Sequence, residues 1–327
     1  MSAYIIRRLS LVIPSLFIVS LIIFILIRLI PGDIIDIMAE QMIYRFTETD
    51  RADLEQALGL DVPIMQQYGR WIGVLPHADG SFSGIFQGDL GDSLWQEKSV
   101  TSLITDKLPV TFELGLMALI ISQLIALPIG IFSAMRQDTV GDYAARSFAI
   151  FLIAVPGFWI ATMVIVFPSI WWGWSPPLML VPFVEDPTEN LKMFIIPATV
   201  LGMAMSGGTM RMTRTMMLEV LRQDYIRTAW SKGLSERVVV LRHALKNALI
   251  PVVTLIGFRM EIMVGGAVII EQIFNLPGIG RLMLTAINDR DYLIVSGVML
   301  VLGAAIMLNN LLIDLSYGYL DPRIRFK

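Results

Sequence analysis

No cysteine occurs anywhere in the 327 residues, which excludes disulfides, thiolate metal sites and cysteine nucleophiles. Charge is scarce as well. Asp, Glu, Lys and Arg make up 16% of the chain, where soluble domains carry about a quarter. There are two histidines, His77 and His243, which the expected span topology places on opposite sides of the membrane, so they cannot share a metal or form a dyad within one chain. The phosphate-cradling pattern Gly-x-x-x-x-Gly-Lys-Ser/Thr is absent, as are His-Glu-x-x-His and Gly-x-Ser-x-Gly, so neither a nucleotide loop nor a common hydrolase site is present by those routes. An enzyme needs a clustered base, nucleophile or metal, and none is visible.

What fills the chain is apolar. Hydrophobic residues reach 55% and the mean hydropathy is +0.69, gathered in long runs rather than amphipathic periods. The first run, Leu9 to Ile27, follows Arg7 and Arg8 and is long enough to cross a hydrocarbon core of about 30 Å. A cleavable signal is shorter and ends in small residues. This run ends in Arg28-Leu29-Ile30-Pro31-Gly32-Asp33, so an uncleaved first span is expected. Five further spans are read at roughly 110–134, 148–170, 193–210, 248–271 and 291–313. The expected fold is therefore all-α and integral to the membrane, with six transmembrane helices. Its parts are an N-terminal helix (1–30), an outer loop region (31–109) and a core of five spans (110–327). Pro128, Pro156-Gly157, Pro197 and Gly265-Gly266 fall inside the spans, and such breaks are tolerated where neighbours satisfy the released backbone groups.

Lys and Arg set the orientation. With the N-terminus inside, the inner segments hold 15 of them and the outer loops 8, with Arg28 near the outer boundary. The positive-inside rule then places both termini in the cytoplasm. The long outer loop opens acidic, with Asp33, Asp36, Glu40, Glu48, Asp50, Asp53, Glu55 and Asp61. Glu48 to Leu58 reads as helical, ended by Gly59, and an ordered loop of this length suits a docking surface, with a solvated connector as the plainer alternative.

The most informative segment lies between spans four and five. Asp224 is expected to cap a short cytoplasmic helix through its carboxylate. Gly233 suits the left-handed position just past the end, and Lys232 suits the negative end of the dipole. A second helical stretch, Ser235 to Leu249, leads into Pro251 and span five. A basic loop resting near anionic lipid is the plainer reading, but it needs no such start and stop signals. A rigid helix projecting from the membrane seats in a groove on another protein and passes its movement to span five.

Asp-Tyr-Ile-Arg-Thr-Ala-x-x-Lys-Gly-Leu from Asp224, followed by Arg242-His243-Ala244-Leu245-Lys246-Asn247-Ala248-Leu249-Ile250-Pro251-Val252-Val253-Thr254, resembles the EAA loop of ABC importer permeases. It is more narrowly similar to the dipeptide, oligopeptide and nickel branch, first membrane subunit. Leu58-Gly59-Leu60-Asp61-x-Pro63, Gln67-Tyr68, Gly88-Asp89-Leu90-Gly91-x-Ser93, Glu271-x-Ile273-Phe274-x-x-Pro277-Gly278-x-Gly280-Arg281-Leu282, Arg290-Asp291-Tyr292 and Asp321-Pro322-Arg323-Ile324-Arg325 extend the resemblance over nearly the whole chain. Two departures stand out. The EAA triplet reads Arg227-Thr228-Ala229, and Leu293 and Ser296 replace the branch's usual proline and glutamine.

The resemblance implies a type I ABC importer permease fold in a bacterial or archaeal inner membrane. It implies a sister permease, two cytoplasmic ATPases that hold ATP and Mg, and an external substrate-binding protein that delivers short peptides or a related small solute. No cofactor is expected on this chain, and no nucleic acid among its partners, which include membrane lipid. Asp224, Tyr225, Ile226, Arg227, Ala229, Lys232 and Gly233 become the ATPase-coupling residues, with Tyr225, Ile226 and Ala229 as the seated face and Arg227 and Lys232 at its rim. Arg259, Glu261 and Glu271 are the candidate pathway charges, since intramembrane charge usually faces a bundle interior. Arg259 and Glu261, two apart, point to different helix faces, and a structural partner on a neighbouring helix is the equal alternative for Arg259. Glu113 and Glu271 lie near outer span ends, where snorkelling to water is the default. Met203, Met205, Met210, Met212, Met216 and Met217 read as flexible packing, and Trp171, Trp172 and Trp174 as interface anchors. A secondary transporter or channel is the alternative. It calls for inverted repeats and mid-membrane coupling carboxylates.

Overall fold

The structure is a computed structural model describing residues 2–29, 55, 61–77, 79–93, 95–177 and 179–320. The expected helix at Glu48–Leu58, the Ile30–Asp33 and Leu58–Leu60 motifs and the Asp321–Arg325 motif lie wholly or almost wholly outside these. Helices account for nearly all regular structure: α1 (Ser2–Arg28), α2 (Ile64–Trp71), α3 (Val100–Met135), α4 (Val140–Ala154), α5 (Gly157–Trp172), α6 (Pro187–Leu221), α7 (Asp224–Ser231), α8 (Leu245–Ile273), α9 (Ile279–Asn288) and α10 (Tyr292–Leu320). Among the described residues, five helical stretches are long and apolar enough to cross a membrane, or six if the bent pair α4–α5 is one span.

That pair corrects the reading of span three. Residues 148–170 are not one rod, because α4 and α5 meet at a 91° bend. Val155 is extended at φ −83°, ψ 124°, as the ring of a following proline demands, and Pro156 then precedes the first residue of α5. Pro128, Pro197 and Pro251, by contrast, stay within continuous helices.

The chain divides into two compact units. The first comprises residues 1–8, 109–281 and 306–327. Its main core joins Val110, Leu114 and Ala118 of α3, Ala161 of α5, Phe194, Ala198, Leu201 and Met205 of α6 and Ala267, Ile270 and Phe274 at the end of α8. Glycines set the separation between these helices. A Cβ on Gly202 would lie 2.7 Å from the Ala118 carbonyl, and one on Gly207 would lie 2.8 Å from that of Ala149. One on Gly130 of α3 would lie 2.8 Å from the Met210 carbonyl. Backbones at that distance gain dispersion contacts that lipid chains do not replace. Met205, Met210 and Met217 are buried in these contacts, filling irregular gaps as thioether side chains do.

The second unit comprises residues 9–108 and 282–305. Here Phe24 of α1 packs against Tyr68 and Ile72 around α2, with Tyr68 edge-on to the Phe24 ring at 5.2 Å between centroids. The Tyr68 hydroxyl shares a hydrogen bond with Ser20 Oγ at 2.8 Å. The loop segment is thereby attached to α1 by an aromatic contact and a buried polar one. Gly297 admits Val100, Ile104 and Leu90 to its backbone.

Replacing Gly202 by valine should lower the thermal midpoint of the detergent-solubilised protein by several degrees, because overpacking costs about 1–3 kcal/mol. Gly265→Ala, at a position with open space around it, should leave the midpoint near the parent value. Equal midpoints for Gly202→Val and the parent would refute close backbone packing there.

Candidate functional site

α7 begins where α6 ends and the chain turns through Arg222. Its cap is Gln223, in extended backbone at φ −73°, ψ 147°, and the Gln223 carbonyl accepts from the amides of Ile226 and Arg227 at 3.0 and 3.3 Å. The capping role expected of Asp224 is thus corrected. Asp224 is the first helical residue, and its carboxylate meets Arg227 Nη1 at 3.4 Å. It still lies where the helix dipole favours negative charge. Gly233 takes φ +75° and follows the Lys232 cap, so a left-handed residue closes the helix as a Cβ-free position allows.

One edge of α7 belongs to the protein's own core. Ile226 and Ala229 are buried with Ala134, Met217, Val239, Val240, Ala244 and Ala248. They cannot be the face presented to a partner, which corrects that part of the reading. Two residues three apart on an amphipathic helix share one stripe, and the stripe here closes inward. The outward residues are Asp224, Tyr225, Arg227, Thr228, Trp230 and Ser231, with Lys232 also exposed. Tyr225 and Trp230 are 43% and 42% exposed, and the Tyr225 hydroxyl accepts from Asn247 Nδ2 at 2.8 Å. Beyond α7 the expected Ser235–Leu249 stretch is helical, but it passes through a π-helical segment, Val239–Ala244, before α8, which carries Pro251 inside it.

Next to this cluster three helices meet at an ion pair. Arg214 of α6 donates from Nε to Asp142 Oδ1 at 2.8 Å and from Nη2 to Oδ2 at 2.7 Å. Ser133 Oγ of α3 donates to the same carboxylate, and the Asp138 amide adds a bond of 3.0 Å. The Asp142 side chain is fully buried, so its desolvation is offset by this bidentate arrangement.

Glu271 also departs from expectation. It does not snorkel; it is completely buried at the end of α8. Thr111 Oγ1 donates to Oε1 at 2.6 Å, and the Arg281 amide donates to Oε2 at 3.0 Å. Thr111 Oγ1 in turn accepts from the Ile279 amide at 2.8 Å. Carboxylate and hydroxyl together cap the start of α9, satisfying amides that have no intrahelical acceptor. Gly278 leaves no room for a Cβ beside the carboxylate, and one on Gly280 would lie 2.6 Å from Val268 Cα. The Pro277-Gly278-Ile279-Gly280-Arg281 run is therefore a backbone cradle for Glu271, and a group so enclosed is not a pathway residue.

Arg259 stays apart from these networks. It is the central residue of α8 and is partly exposed. Its Nε is buried with no hydrogen-bond partner among the described residues, and its Nη2 occupies the place a Cβ on Gly208 of α6 would take. Glu261 lies on α8, but its side chain is outside the described residues. The structure gathers Asp224 to Gly233 on and just past α7 and leaves Arg259 and Glu271 in unrelated surroundings.

The family of binding-protein-dependent transport system inner membrane components matches residues 126–326, and its N-terminal component matches residues 1–115. The chain belongs to this family. The permease is 39% identical over 326 residues to a Brucella abortus (strain 2308) protein named for peptide transport system permease, covering 100% of each. It is 36% identical over 351 residues to the dipeptide transport system permease protein DppB of Escherichia coli (strain K12), again with 100% of each covered. Among solved structures, the crystal structure of an amino acid ABC transporter with histidines superposes with a TM-score of 0.53 at 14% identity, covering 67% of this chain and 94% of that one. That likeness is one of fold, the type I importer permease fold.

Several of the permease's short motifs now have a structural reason. Ser93, from the Gly88–Ser93 motif, donates to Asp291 Oδ2 at 2.6 Å, and Asp291 Oδ1 accepts from the Ile294 amide at 3.2 Å as α10 begins. Gly91 lies 3.4 Å, through its missing Cβ, from Leu293, one of the two departures from the branch pattern. Sequence reading missed the Asp142–Arg214 pair, because Arg214 counted only as one more inner-side cation. The available signal was a pair of aspartates, Asp138 and Asp142, in a short inner segment that also holds Arg136 and Arg146.

Glu271→Ala should destabilise the solubilised permease by about 2–3 kcal/mol, since each charge-assisted bond contributes roughly 1.5–3 kcal/mol. A Glu271→Ala protein melting with the parent would restore the pathway reading. Asp142→Ala, which strands Arg214, should cost about 3–5 kcal/mol, whereas joint replacement by leucine and methionine should cost distinctly less. Thermal melting of the three proteins checks the order, and a joint replacement as damaging as the single one would contradict it.

Proposed function

We propose that this permease is one of two membrane subunits forming the pathway of an ATP-driven importer for di- or oligopeptides. The naming of its relatives for peptide and dipeptide transport supports the cargo class. In this reading a sister permease completes the pathway, two cytoplasmic ATPases bind and hydrolyse ATP with Mg, and an external binding protein delivers cargo to the outer loops. Both termini lie in the cytoplasm of a bacterial or archaeal cell, as the distribution of Lys and Arg favours. The chain itself holds no cofactor.

The observation that carries the mechanism is the two-sided character of α7. Ile226 and Ala229 fix one edge to the chain's own helices, while Asp224, Arg227, Thr228 and Trp230 face outward. The outward edge seats in an ATPase groove, with Lys232 at its margin and Gly233 allowing the sharp exit. Because the inward edge packs on Val239, Val240 and Ala244, displacement of α7 is passed to the segment that leads into α8. Closure of the ATPases on ATP then moves α8, and the pathway changes the side to which it opens.

An Arg227→Glu/Trp230→Ala double variant should insert at parental levels yet retain at most a tenth of the co-purifying ATPase and lose uptake. Unchanged ATPase recovery together with unchanged uptake would remove the coupling role. Uptake by the isolated chain under an ion gradient, with no ATP, would replace the importer reading by a secondary transporter.

A further inference from the structure

We propose that Arg259, its guanidinium laid over the bare backbone of Gly208, recognises the carboxylate of the transported solute at the middle of the permease. This rests on the peptide reading above and names the charged group of the cargo that the pathway reads.

Depth is the first argument. Arg259 is fourteen residues from either end of α8, about 21 Å along the axis each way at 1.5 Å per residue. A cation there is costly and persists where it is paired or functional. Transporter substrates are commonly bound near that level. The second argument is the missing counter-charge. Asp142, Glu271 and Asp291 each find hydrogen-bond donors within the protein. Among the described residues no carboxylate reaches Arg259, and its buried Nε has no partner.

Fixation is the third. Any side chain at 208 would displace Nη2, so glycine at this position lets the guanidinium lie against α6. Two residues earlier, the Gly257 carbonyl accepts from Asn309 Nδ2 at 3.0 Å, and Ile313 closes over the Gly257 backbone. This turn of α8 is thereby held by α10 through Gly257 and by α6 through Arg259. The guanidinium lies beside the α6 backbone at Gly208, and Arg259 remains partly exposed. Its fork of parallel N–H donors matches a carboxylate in a bidentate manner. A short peptide carries that group at its C-terminus.

The test uses the complete transporter with its binding protein in proteoliposomes, and two probes: dialanine and dialanine amide, which lacks the carboxylate. Arg259→Gln should lower dialanine uptake at least tenfold and collapse the preference for acid over amide. The sister permease should still co-purify, and ATP hydrolysis stimulated by the binding protein should persist. Arg259→Lys should keep part of the preference. Gly208→Ala should behave as Arg259→Gln does, by displacing the group rather than removing it. An unchanged acid-over-amide ratio in Arg259→Gln overturns the inference. Loss of the sister permease from that variant also overturns it, assigning Arg259 to a carboxylate of the sister subunit. If the parent complex takes up no dialanine, the peptide reading itself fails and this inference with it.

Discussion

Helix α6 is approached by its neighbours at backbone contact distance, and this closeness sets what the rest of the first unit can do. Gly202 and Gly207 receive α3 and α4, Gly130 of α3 receives α6 near Met210, and Gly208 receives the Arg259 head group. In an apolar solvent the hydrophobic effect does not draw helices together, so tight packing has to supply the attraction. Glycine achieves this by removing the side chain that would hold two backbones apart. The same device lets charged groups come close to the chain, as at Gly278 and Gly280 around Glu271.

The charges within the helical core fall into two kinds. Asp142 and Glu271 are fully buried and hydrogen-bonded within the protein, and each joins segments distant in sequence. They hold helix ends in place: one ties α3, α4 and α6, the other sets the start of α9 after α8. Arg259 differs because no acceptor meets its buried nitrogen among the described residues. An unanswered buried donor carries a free-energy cost, and a protein that keeps one has either a function for it or a partner outside the chain.

The π-helical segment between α7 and α8 adds a mechanical element. A wider turn of this type is less favourable than an α-turn and occurs often at functional positions. Its Val239, Val240 and Ala244 form the surface on which Ile226 and Ala229 rest. The short helix α7 and the entry to α8 are thus packed together, whereas Arg227, Thr228 and Trp230 are exposed on the other side.

Legibility in the sequence followed the range of the interaction. Long apolar runs located the spans, because a hydrocarbon slab imposes one length and one composition on whatever crosses it. The bounds of α7 were also readable, since turn chemistry at Gly233 is a local property. The direction of its buried edge was not: Tyr225, Ile226 and Ala229 are all apolar or aromatic, and which of them closes inward depends on Met217, Ala134 and Val239, contributed by other segments. Likewise the sequence could place Glu271 near a span end but not beside Thr111, 160 positions earlier in the chain. Composition and local pattern determined by themselves that this chain crosses a membrane and presents a short helix after its fourth span. Only tertiary packing decided which charges are tied within the chain and that Arg259, among the described residues, keeps a buried donor without an acceptor, because a counter-charge is supplied by whatever lies nearby in space.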